Sequence, residues 1–239
     1  MRAVLLLLLP VWMCSGAGRL SGCSRSSWCS SPEVAARCGV LKRCQKGNST
    51  WLPQSPEPVK VEVFYETLCP DCIDFMTHML YPSSVLLRDV LDLTVVPYGN
   101  ARESFDGQRY IFSCQHGEQE CLGNMIQACV LNMVPAEASI IVFCMEAAAD
   151  VVQAAQACVE LYAPQLPWDR LADCVKGDLG NQLMHENAKK TKALSPPHTS
   201  VPWVTVDGVH TEELQEKALS SLVSLVCSKY QGPKPAVCG

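Results

Sequence analysis

Long apolar runs are scarce in this chain of 239 residues, and none reaches 18 consecutive apolar residues without a charge. A helix needs about 20 such residues to cross a bilayer, so no transmembrane segment is predicted. Basic residues are too few for a nucleic-acid-binding surface, because the formal net charge is −5. No internal repeat of fixed period is present. The length and the 48% apolar content therefore fit one compact domain with short extra segments.

Cysteine, by contrast, is abundant, with 15 residues in all. Arg2 precedes an apolar run at residues 3–9 and small residues follow at 15–17, which predicts a secretory signal peptide over residues 1–17. In the oxidising lumen of that pathway, cysteines form disulfides. Asn48 begins an Asn-Ser-Thr glycosylation site, which requires the same route. We therefore expect a soluble protein that is lumenal or secreted.

Three zones follow the predicted signal peptide. Residues 18–47 are rich in cysteine and basic, with six Lys or Arg against one Glu. Residues 48–58 include three closely spaced prolines and predict an extended, exposed linker. Residues 59–239 are acidic and have the apolar patterns of a folded domain.

Apolar periodicity within the folded domain predicts its secondary structure. The predicted elements are strands at 59–65 and 91–97 with a helix between them, several helices and no strand within 118–192, a strand at 201–206, a turn at Asp207-Gly208 with a short strand at 209–210, and a helix at 212–227. The first three elements form a βαβ unit, which implies parallel strands. The order as a whole predicts an α/β protein with a helical insertion at about 105–195.

The sequence Cys69-Pro70-Asp71-Cys72 directly follows the first strand and opens the first helix. Two cysteines at this spacing alone fit redox chemistry, zinc binding or a structural disulfide. Pro70 suits the first helical turn, where its missing N–H costs nothing, and the positive end of the helix stabilises a Cys69 thiolate. Cys72 lies one turn further along, where it can attack a mixed disulfide on Cys69. This position favours redox catalysis.

A second element of the site is Pro202, which opens the last strand. A proline there usually marks a strand edge or a bulge. Here the order of strand, hairpin and final helix resembles the thioredoxin fold, in which a cis-proline loop lies against the two active-site cysteines. The resemblance implies a cis peptide bond before Pro202, while an ordinary trans proline is the alternative.

The most specific pattern lies downstream of the second strand. It comprises Cys114, Gln115, His116, Gly117, Glu120, Cys121, Asn124 and Cys129. This arrangement resembles the C-Q-H-G-x-x-E-C-x-x-N-x-x-x-x-C signature of the gamma-interferon-inducible lysosomal thiol reductase family, and every fixed position matches. The resemblance extends over residues 58–239 and includes the active-site cysteines and the sequence at 97–100.

The family resemblance implies an enzyme that reduces protein disulfides in acidic endolysosomes and so helps to unfold antigens for proteolysis and presentation. It implies no bound cofactor, with a small-molecule thiol as the reductant. Disulfide-bonded proteins would be the substrates. Two alternatives remain open: a lumenal disulfide oxidase or isomerase, and a lipid-binding or sorting protein.

The role of the signature does not follow from its residues. We expect a loop braced by a disulfide, with direct catalysis by His116 as the alternative. A zinc site that combines the active-site pair with Cys114, His116 and Cys121 is a further alternative, but an oxidising lumen disfavours free thiolates. The remaining histidines show no metal-ligand spacing, so no metal site is predicted.

The lipid-binding alternative depends on the N-terminal zone. Residues 22–45 resemble the short saposin A-type module, which has four cysteines in this pattern and is usually removed from precursors. The alternative is an irregular basic tail. The stretch is too short to build a core without disulfides, so its four cysteines are expected to pair with each other.

The remaining cysteines divide into two groups. Cys69 and Cys72 are assigned to catalysis, and eight others belong to the folded domain, which allows 105 pairings and no assignment. These eight are Cys114, Cys121, Cys129, Cys144, Cys158, Cys174, Cys227 and Cys238. Cys238 lies near the end of the chain and is the expected donor of an intermolecular bridge, which would give a disulfide-linked homodimer.

The redox direction depends on the residues between the thiols. Cys69 is expected to attack and Cys72 to resolve. The Asp71 carboxylate should raise the pKa of Cys69, and a less stable thiolate favours a reductant over an oxidant. The sequence therefore predicts a thiol reductase.

Overall fold

The computed structural model describes residues 23, 27–46 and 56–239. The predicted signal peptide and the predicted glycosylation site Asn48 lie outside these residues. The chain divides into two units, Met1–Pro56 and Glu57–Gly239, and each is described by itself. Within the described residues, no helix combines the length and the apolar character that a membrane crossing requires.

The described part of the first unit contains two short helices, α1 (Pro32–Arg37) and α2 (Leu41–Lys46). The Ser31 hydroxyl accepts a hydrogen bond from the Val34 N–H and thereby caps α1. Two disulfides hold the helices: Cys23–Cys38 and Cys29–Cys44. The four cysteines of this zone thus pair with each other, as predicted.

The second unit is a mixed α/β structure. Its elements are β1 (Val59–Tyr65), α3 (Pro70–Asp74), a π-helical segment (Phe75–Leu80), α4 (Tyr81–Leu86), β2 (Leu91–Pro97), β3 (Arg102–Phe105), β4 (Tyr110–Ser113), α5 (Glu118–Met133), α6 (Ala138–Glu146), α7 (Ala155–Tyr162), α8 (Trp168–Lys176), α9 (Asp178–Lys192), β5 (Trp203–Val206), α10 (Glu212–Lys229) and a 3₁₀ turn (Ala236–Cys238).

The main sheet has the strand order β2-β1-β5. β1 pairs parallel with β2 and antiparallel with β5, so the predicted βαβ unit is confirmed. Val63 lies opposite Val95 on one side and Val204 on the other, and its own side chain is fully buried. Because β1 is the central strand, its carboxyl end delivers the following loop and its two cysteines to the middle of the sheet edge.

The turn after β5 is also as predicted. Asp207 and Gly208 both have positive φ, +51° and +76°, which is the conformation that a tight Asp-Gly hairpin turn requires. The predicted partner strand at 209–210 is only one bridge long, between Val206 and Val209. His210 turns inward instead, because its ring stacks on Trp203 and its Nδ1 lies 2.8 Å from the Val204 carbonyl oxygen.

The insertion between β2 and β5 carries five helices, α5 to α9, around a separate apolar core. The prediction of helices without strands over 118–192 is confirmed. The insertion nevertheless begins with a hairpin, β3–β4, that the periodicity did not predict. Its strands have only four residues each, and β3 reads Arg-Glu-Ser-Phe, which offers no alternating apolar face.

Disulfides fasten the insertion and the C-terminus. The pairs are Cys114–Cys121, Cys129–Cys174, Cys144–Cys158 and Cys227–Cys238. The expectation that Cys238 forms an intermolecular bridge was wrong, because the 3₁₀ turn brings it back to Cys227 at the end of α10. The structure therefore gives no support to a homodimer linked through Cys238.

Candidate active site

Among the described residues, Cys69 and Cys72 are the cysteines outside disulfides. Cys69 is the residue before α3, and its carbonyl accepts a hydrogen bond of 3.0 Å from the Ile73 N–H. Pro70 occupies the first helical position, as predicted. Both residues are buried, but Cys69 keeps 7% exposure whereas Cys72 has none, so Cys69 is the more accessible residue of the pair.

The two thiols have opposite acidities. Hydrogen bonding from the Cys72 thiol lowers the pKa of Cys69 to about 7; burial and the Glu66 charge oppose this, and the Cys72 and Asp71 N–H groups add to it. Hydrogen bonding to Cys69 and burial raise the pKa of Cys72 far above its usual range. The charge that acts against the Cys69 thiolate is thus that of Glu66. Asp71 acts on Cys69 through its backbone N–H, and the predicted effect of its carboxylate stays a prediction.

The peptide bond between Val201 and Pro202 is cis, as the thioredoxin-like order implied. Pro202 borders a groove of about 380 Å³ that runs beside the helix carrying the cysteines. Its lining combines apolar Phe75, Met79 and Leu219 with the charged Asp71. The groove therefore has a mixed polar and apolar lining that includes a residue of the active-site motif.

The loop before Cys69 contains a buried acid, Glu66, whose side chain has no exposure. Its Oε1 accepts a hydrogen bond of 2.5 Å from the Asn100 N–H, and its Oε2 has no hydrogen-bond partner. Gly99 makes this approach possible, because a Cβ there would overlap Glu66 Cγ and because its φ of +55° favours glycine. The Glu66 carbonyl in turn accepts from the Cys69 N–H at 3.4 Å.

The signature residues hold this same loop from α5. Asn124 Oδ1 accepts from the Thr67 N–H at 3.1 Å, and the Thr67 hydroxyl donates to the Glu120 carbonyl at 3.2 Å. Gly123 faces Thr67, and a Cβ at this position would lie 2.6 Å from the Thr67 hydroxyl oxygen. Signature residues of α5 therefore pack directly against Thr67, which lies two positions before Cys69.

The remaining signature residues shape the loop that enters α5. The disulfide Cys114–Cys121 closes it, and Gly117 has the positive φ of +87° that its sharp entry requires. Gln115 accepts a hydrogen bond of 2.8 Å from the Asn100 side chain. The other signature cysteine, Cys129, bonds to Cys174 in α8. This is the braced loop that was expected.

His116 sits inside the braced loop and faces two buried carboxylates. Its Nδ1 lies 2.5 Å from Glu120 Oε2 and 3.6 Å from Glu66 Oε2. Its backbone N–H donates to Glu120 Oε1 at 3.1 Å. Burial lowers the pKa of His116, but hydrogen bonding to Glu120 and the charges of Glu120, Glu66 and Cys69 together raise it above 6.5.

Glu66, His116 and Glu120 bring three ligand-type atoms within 4.8 Å of one another. Two atoms bound to one zinc ion at about 2.0 Å in tetrahedral geometry lie roughly 3.3 Å apart. The 2.5 Å between His116 Nδ1 and Glu120 Oε2 is instead a hydrogen-bond distance. We therefore assign these residues as a hydrogen-bonded cluster. The zinc alternative with Cys114 and Cys121 was wrong, because these two sulfurs are bonded to each other.

A second buried acid, Glu146, lies at the end of α6 and is 1% exposed. Its Oε1 accepts from Gln127 Nε2 at 2.7 Å, and Gln127 Oε1 accepts from the Tyr65 hydroxyl at 2.5 Å. Its Oε2 has no partner. Burial raises the pKa of Glu146 to about 8, the Gln127 hydrogen bond opposes this, and the Cys69 charge adds to it.

Sequence reasoning missed both buried acids. Glu66 directly follows the apolar end of β1, and Glu146 is the one charged residue of α6. The available signal was an acid that directly follows or ends an apolar run. The structure places Glu66 where its charge acts on Cys69, and it places Glu146 where the charge of Cys69 acts on it.

The family model described as "Gamma interferon inducible lysosomal thiol reductase (GILT)" matches residues 60–162. A "Gamma-interferon-inducible lysosomal thiol reductase" of Carassius auratus is 50% identical over 214 residues, which cover 90% of this chain and 82% of that protein. A protein of the same name from Mus musculus is 40% identical and covers 87% of this chain and 82% of its own length.

A solved structure of similar fold is "MdbA protein, a thiol-disulfide oxidoreductase from Actinomyces oris". It superposes with a TM-score of 0.53 at 14% identity and covers 75% of this chain and 83% of its own chain. This similarity agrees with the thioredoxin-like fold predicted from the order of the elements.

Proposed function

Because the chain belongs to the gamma-interferon-inducible lysosomal thiol reductase family, we propose that it reduces protein disulfides through Cys69 and Cys72. The observation that carries this proposal is the difference in acidity between the two thiols. Cys69 has a pKa of about 7, and the buried Cys72 beside it has a much higher pKa. A thiolate is the nucleophile of disulfide exchange, so the more acidic cysteine, which is also the more exposed residue of the two, attacks first.

In the first step, the Cys69 thiolate attacks one sulfur of a substrate disulfide. A new bond forms between Cys69 and that sulfur, and the other substrate sulfur leaves as a thiolate that takes a proton from solvent. The N–H groups of Asp71 and Cys72 and the Cys72 thiol hydrogen-bond to the Cys69 sulfur and stabilise its negative charge before the attack.

In the second step, Cys72 loses its proton and attacks Cys69. The mixed disulfide breaks, the second substrate sulfur leaves as a thiolate and is protonated, and Cys69 and Cys72 form a disulfide. Two electrons have then passed from the enzyme dithiol to the substrate. We propose that two molecules of a small thiol return them and form a disulfide of their own.

The groove beside Pro202 supports a polypeptide substrate. Its partly apolar lining and its position along the active-site helix suit the extended segment that flanks a disulfide in an unfolded protein. We propose that antigens and other proteins undergoing proteolysis in acidic endolysosomes supply such segments. This substrate class follows from the family and from the groove together.

We further propose that residues 18–47 are removed from the mature enzyme and are dispensable for catalysis. The proline-rich stretch at 48–58 is where a protease would find an extended chain. N-terminal sequencing of protein recovered from endolysosomes tests this, and a start near Arg19 would contradict the removal.

The function is tested by reduction of a denatured disulfide-bonded protein at about pH 5 and pH 7. Wild type should release thiols at both pH values, and Cys69→Ser should be inactive. Cys72→Ser should accumulate mixed disulfides with substrate, and mass spectrometry should locate every one of them on Cys69. Substrate trapped on Cys72 in Cys69→Ser protein would reverse the two roles.

A further inference from the structure

The Glu66–His116–Glu120 cluster is larger than a loop brace requires. The disulfide Cys114–Cys121 and the Asn124 hydrogen bond already fix the loop. The cluster nevertheless buries two carboxylates completely around one imidazole, and Glu66 Oε2 remains without a hydrogen-bond partner. Burying a carboxylate without a full set of partners costs folding free energy. Two such carboxylates next to a catalytic thiol therefore indicate a functional role beyond holding the loop.

The charges of the cluster act on Cys69. Glu66 and Cys69 lie in one turn, joined by the Cys69 N–H bond to the Glu66 carbonyl. The negative charge of Glu66 disfavours the Cys69 thiolate, and the charge of that thiolate favours protonated His116. Only one imidazolium is available for two carboxylates, so the cluster is net negative when both carboxylates are ionised.

The titratable groups around the site come from several elements. Cys69 faces Cys72 from α3, Glu66 from the preceding loop, His116 from the braced loop and Glu146 from α6, while Glu66 also faces Glu120 from α5. Tyr65 at the end of β1 interacts with Cys72 and Glu146, and Asp71 lies between the two cysteines. Asn100 contributes an N–H without charge. Apart from His116, no group in this set is a cation.

We propose that Glu66, His116 and Glu120 form a charge-compensating cluster that takes up a proton as the pH falls. This proton uptake keeps a larger fraction of Cys69 in the thiolate form in acid than an isolated thiol would retain. The three residues are positioning residues, and the inference depends on the proposed role of Cys69 as the attacking thiol. Protonation of either Glu66 or His116 removes negative charge beside the sulfur. The sulfur then faces a neutral carboxyl and an imidazolium instead of a carboxylate.

At acidic pH, the fraction of Cys69 in the thiolate form limits the rate of attack, so this proton uptake affects reactivity. A thiol with a pKa of about 7 is only about 1% thiolate at pH 5, and the fraction falls tenfold with each further unit. Burial raises the pKa of Glu66 above 4.5, with Glu120 adding to the effect and the Asn100 and His116 interactions opposing it. The pKa of His116 is raised as well. Both groups therefore gain protons earlier in acidification than ordinary Glu and His side chains do.

The test is the rate at which iodoacetamide alkylates Cys69 between about pH 4.5 and pH 8, with mass spectrometry to assign the label. An isolated thiol loses rate tenfold per unit below its pKa. Wild type should lose distinctly less than tenfold per unit in acid, because protonation of the cluster offsets part of the loss. Cys69 with a pKa of about 7 is already half thiolate at pH 7, so Glu66→Gln can alkylate at most about twofold faster there. At about pH 6 it should alkylate about threefold to fivefold faster than wild type, and at lower pH it should converge with wild type.

His116→Asn supplies the complementary change. Asn keeps a donor near the Nδ1 position for Glu120 but cannot accept a proton. Its alkylation should be about threefold to tenfold slower than wild type at pH 5 and close to wild type at pH 8. The matched control is His185→Asn, which removes a second histidine paired with a carboxylate, at 3.0 Å from Glu103 and outside the site. Its profile should follow wild type.

Parallel profiles that fall tenfold per unit in all variants would overturn the proposal and leave the cluster a purely structural role. Circular dichroism checks folding. If His116→Asn does not fold, the test rests on whether the alkylation profile of Glu66→Gln converges with that of wild type in acid or stays parallel to it. The readout is alkylation, not substrate reduction. A wild type that shows the shallow profile but reduces no disulfide would therefore refute the proposed function and not the cluster.

Discussion

Glu146 makes the stability of the folded protein depend on pH in a direction that can be measured. The carboxyl is 1% exposed, its Oε1 accepts from Gln127 Nε2, and its Oε2 has no partner. Burial raises its pKa from 4.5 to about 8. Glu146→Gln keeps the shape and the Gln127 hydrogen bond and removes the titration.

The sign follows from proton counting. Above pH 4.5 the unfolded chain releases the Glu146 proton, whereas the folded protein keeps it until the pH approaches 8. The unfolded state therefore binds fewer protons, and the free energy of unfolding falls as the pH rises. The stability is fully present below pH 4.5 and is lost between that value and about 8. Between pH 4.5 and pH 7, these two pKa values give a loss of about 3 kcal/mol.

The assay is urea unfolding of both proteins at about pH 4.5 and pH 7, followed by tryptophan fluorescence. Both carry Cys69→Ser and Cys72→Ser, so that no free thiol reshuffles the disulfides. The gain in unfolding free energy from Glu146→Gln should be larger at pH 7 than at pH 4.5 by somewhat less than about 3 kcal/mol, because Cys69→Ser removes the charge that adds to the burial effect on the Glu146 pKa. Exposed Glu216→Gln is the control and should show no such difference. An equal effect of Glu146→Gln at both pH values would refute the reasoning.

Two further outcomes are expected. Gly99→Ala should lower the free energy of unfolding in urea by about 2–4 kcal/mol, because its positive φ disfavours alanine and the new Cβ would overlap buried Glu66. Gly208→Ala is the control, because Gly208 has a positive φ without an overlap, and it should cost about 1 kcal/mol. Equal losses would show that the Glu66 side chain moves aside without cost. Asp71→His should shift the glutathione equilibrium of the active-site disulfide about threefold towards the dithiol, because a cation stabilises the Cys69 thiolate, and an unchanged or more negative potential would contradict this.

Local patterns carried the parts of the fold that could be predicted. The strand before Cys69, the proline at the first helical position and the turn at Asp207-Gly208 each depend on a few adjacent residues. The cis bond before Pro202 depended on the order of the elements instead. Each of these features is encoded within a short segment or in the chain order, which a single sequence displays directly.

Contacts between distant segments could not be predicted in the same way. Gln127 meets Tyr65 across 62 positions, and Asn124 reaches Thr67 across 57. The disulfide map has the same character, since only the folded insertion shows that Cys129 faces Cys174. A lone acid at the end of an apolar element indicates burial, but its partner comes from an element whose position only the tertiary structure fixes.

The two buried acids connect stability and reactivity in one direction of pH. Glu66 and Glu146 both have raised pKa values, and the charge of each is coupled to that of Cys69. When both carboxyls are neutral, the fold no longer contains their buried negative charge, and the Cys69 thiolate no longer faces it. Acid therefore removes a destabilising charge from the core and an opposing charge from the nucleophile by the same protonations. A site built on exposed acids would gain neither effect. Solvent would screen their charge from Cys69, and the acids would stay hydrated, so burial would not raise their pKa values.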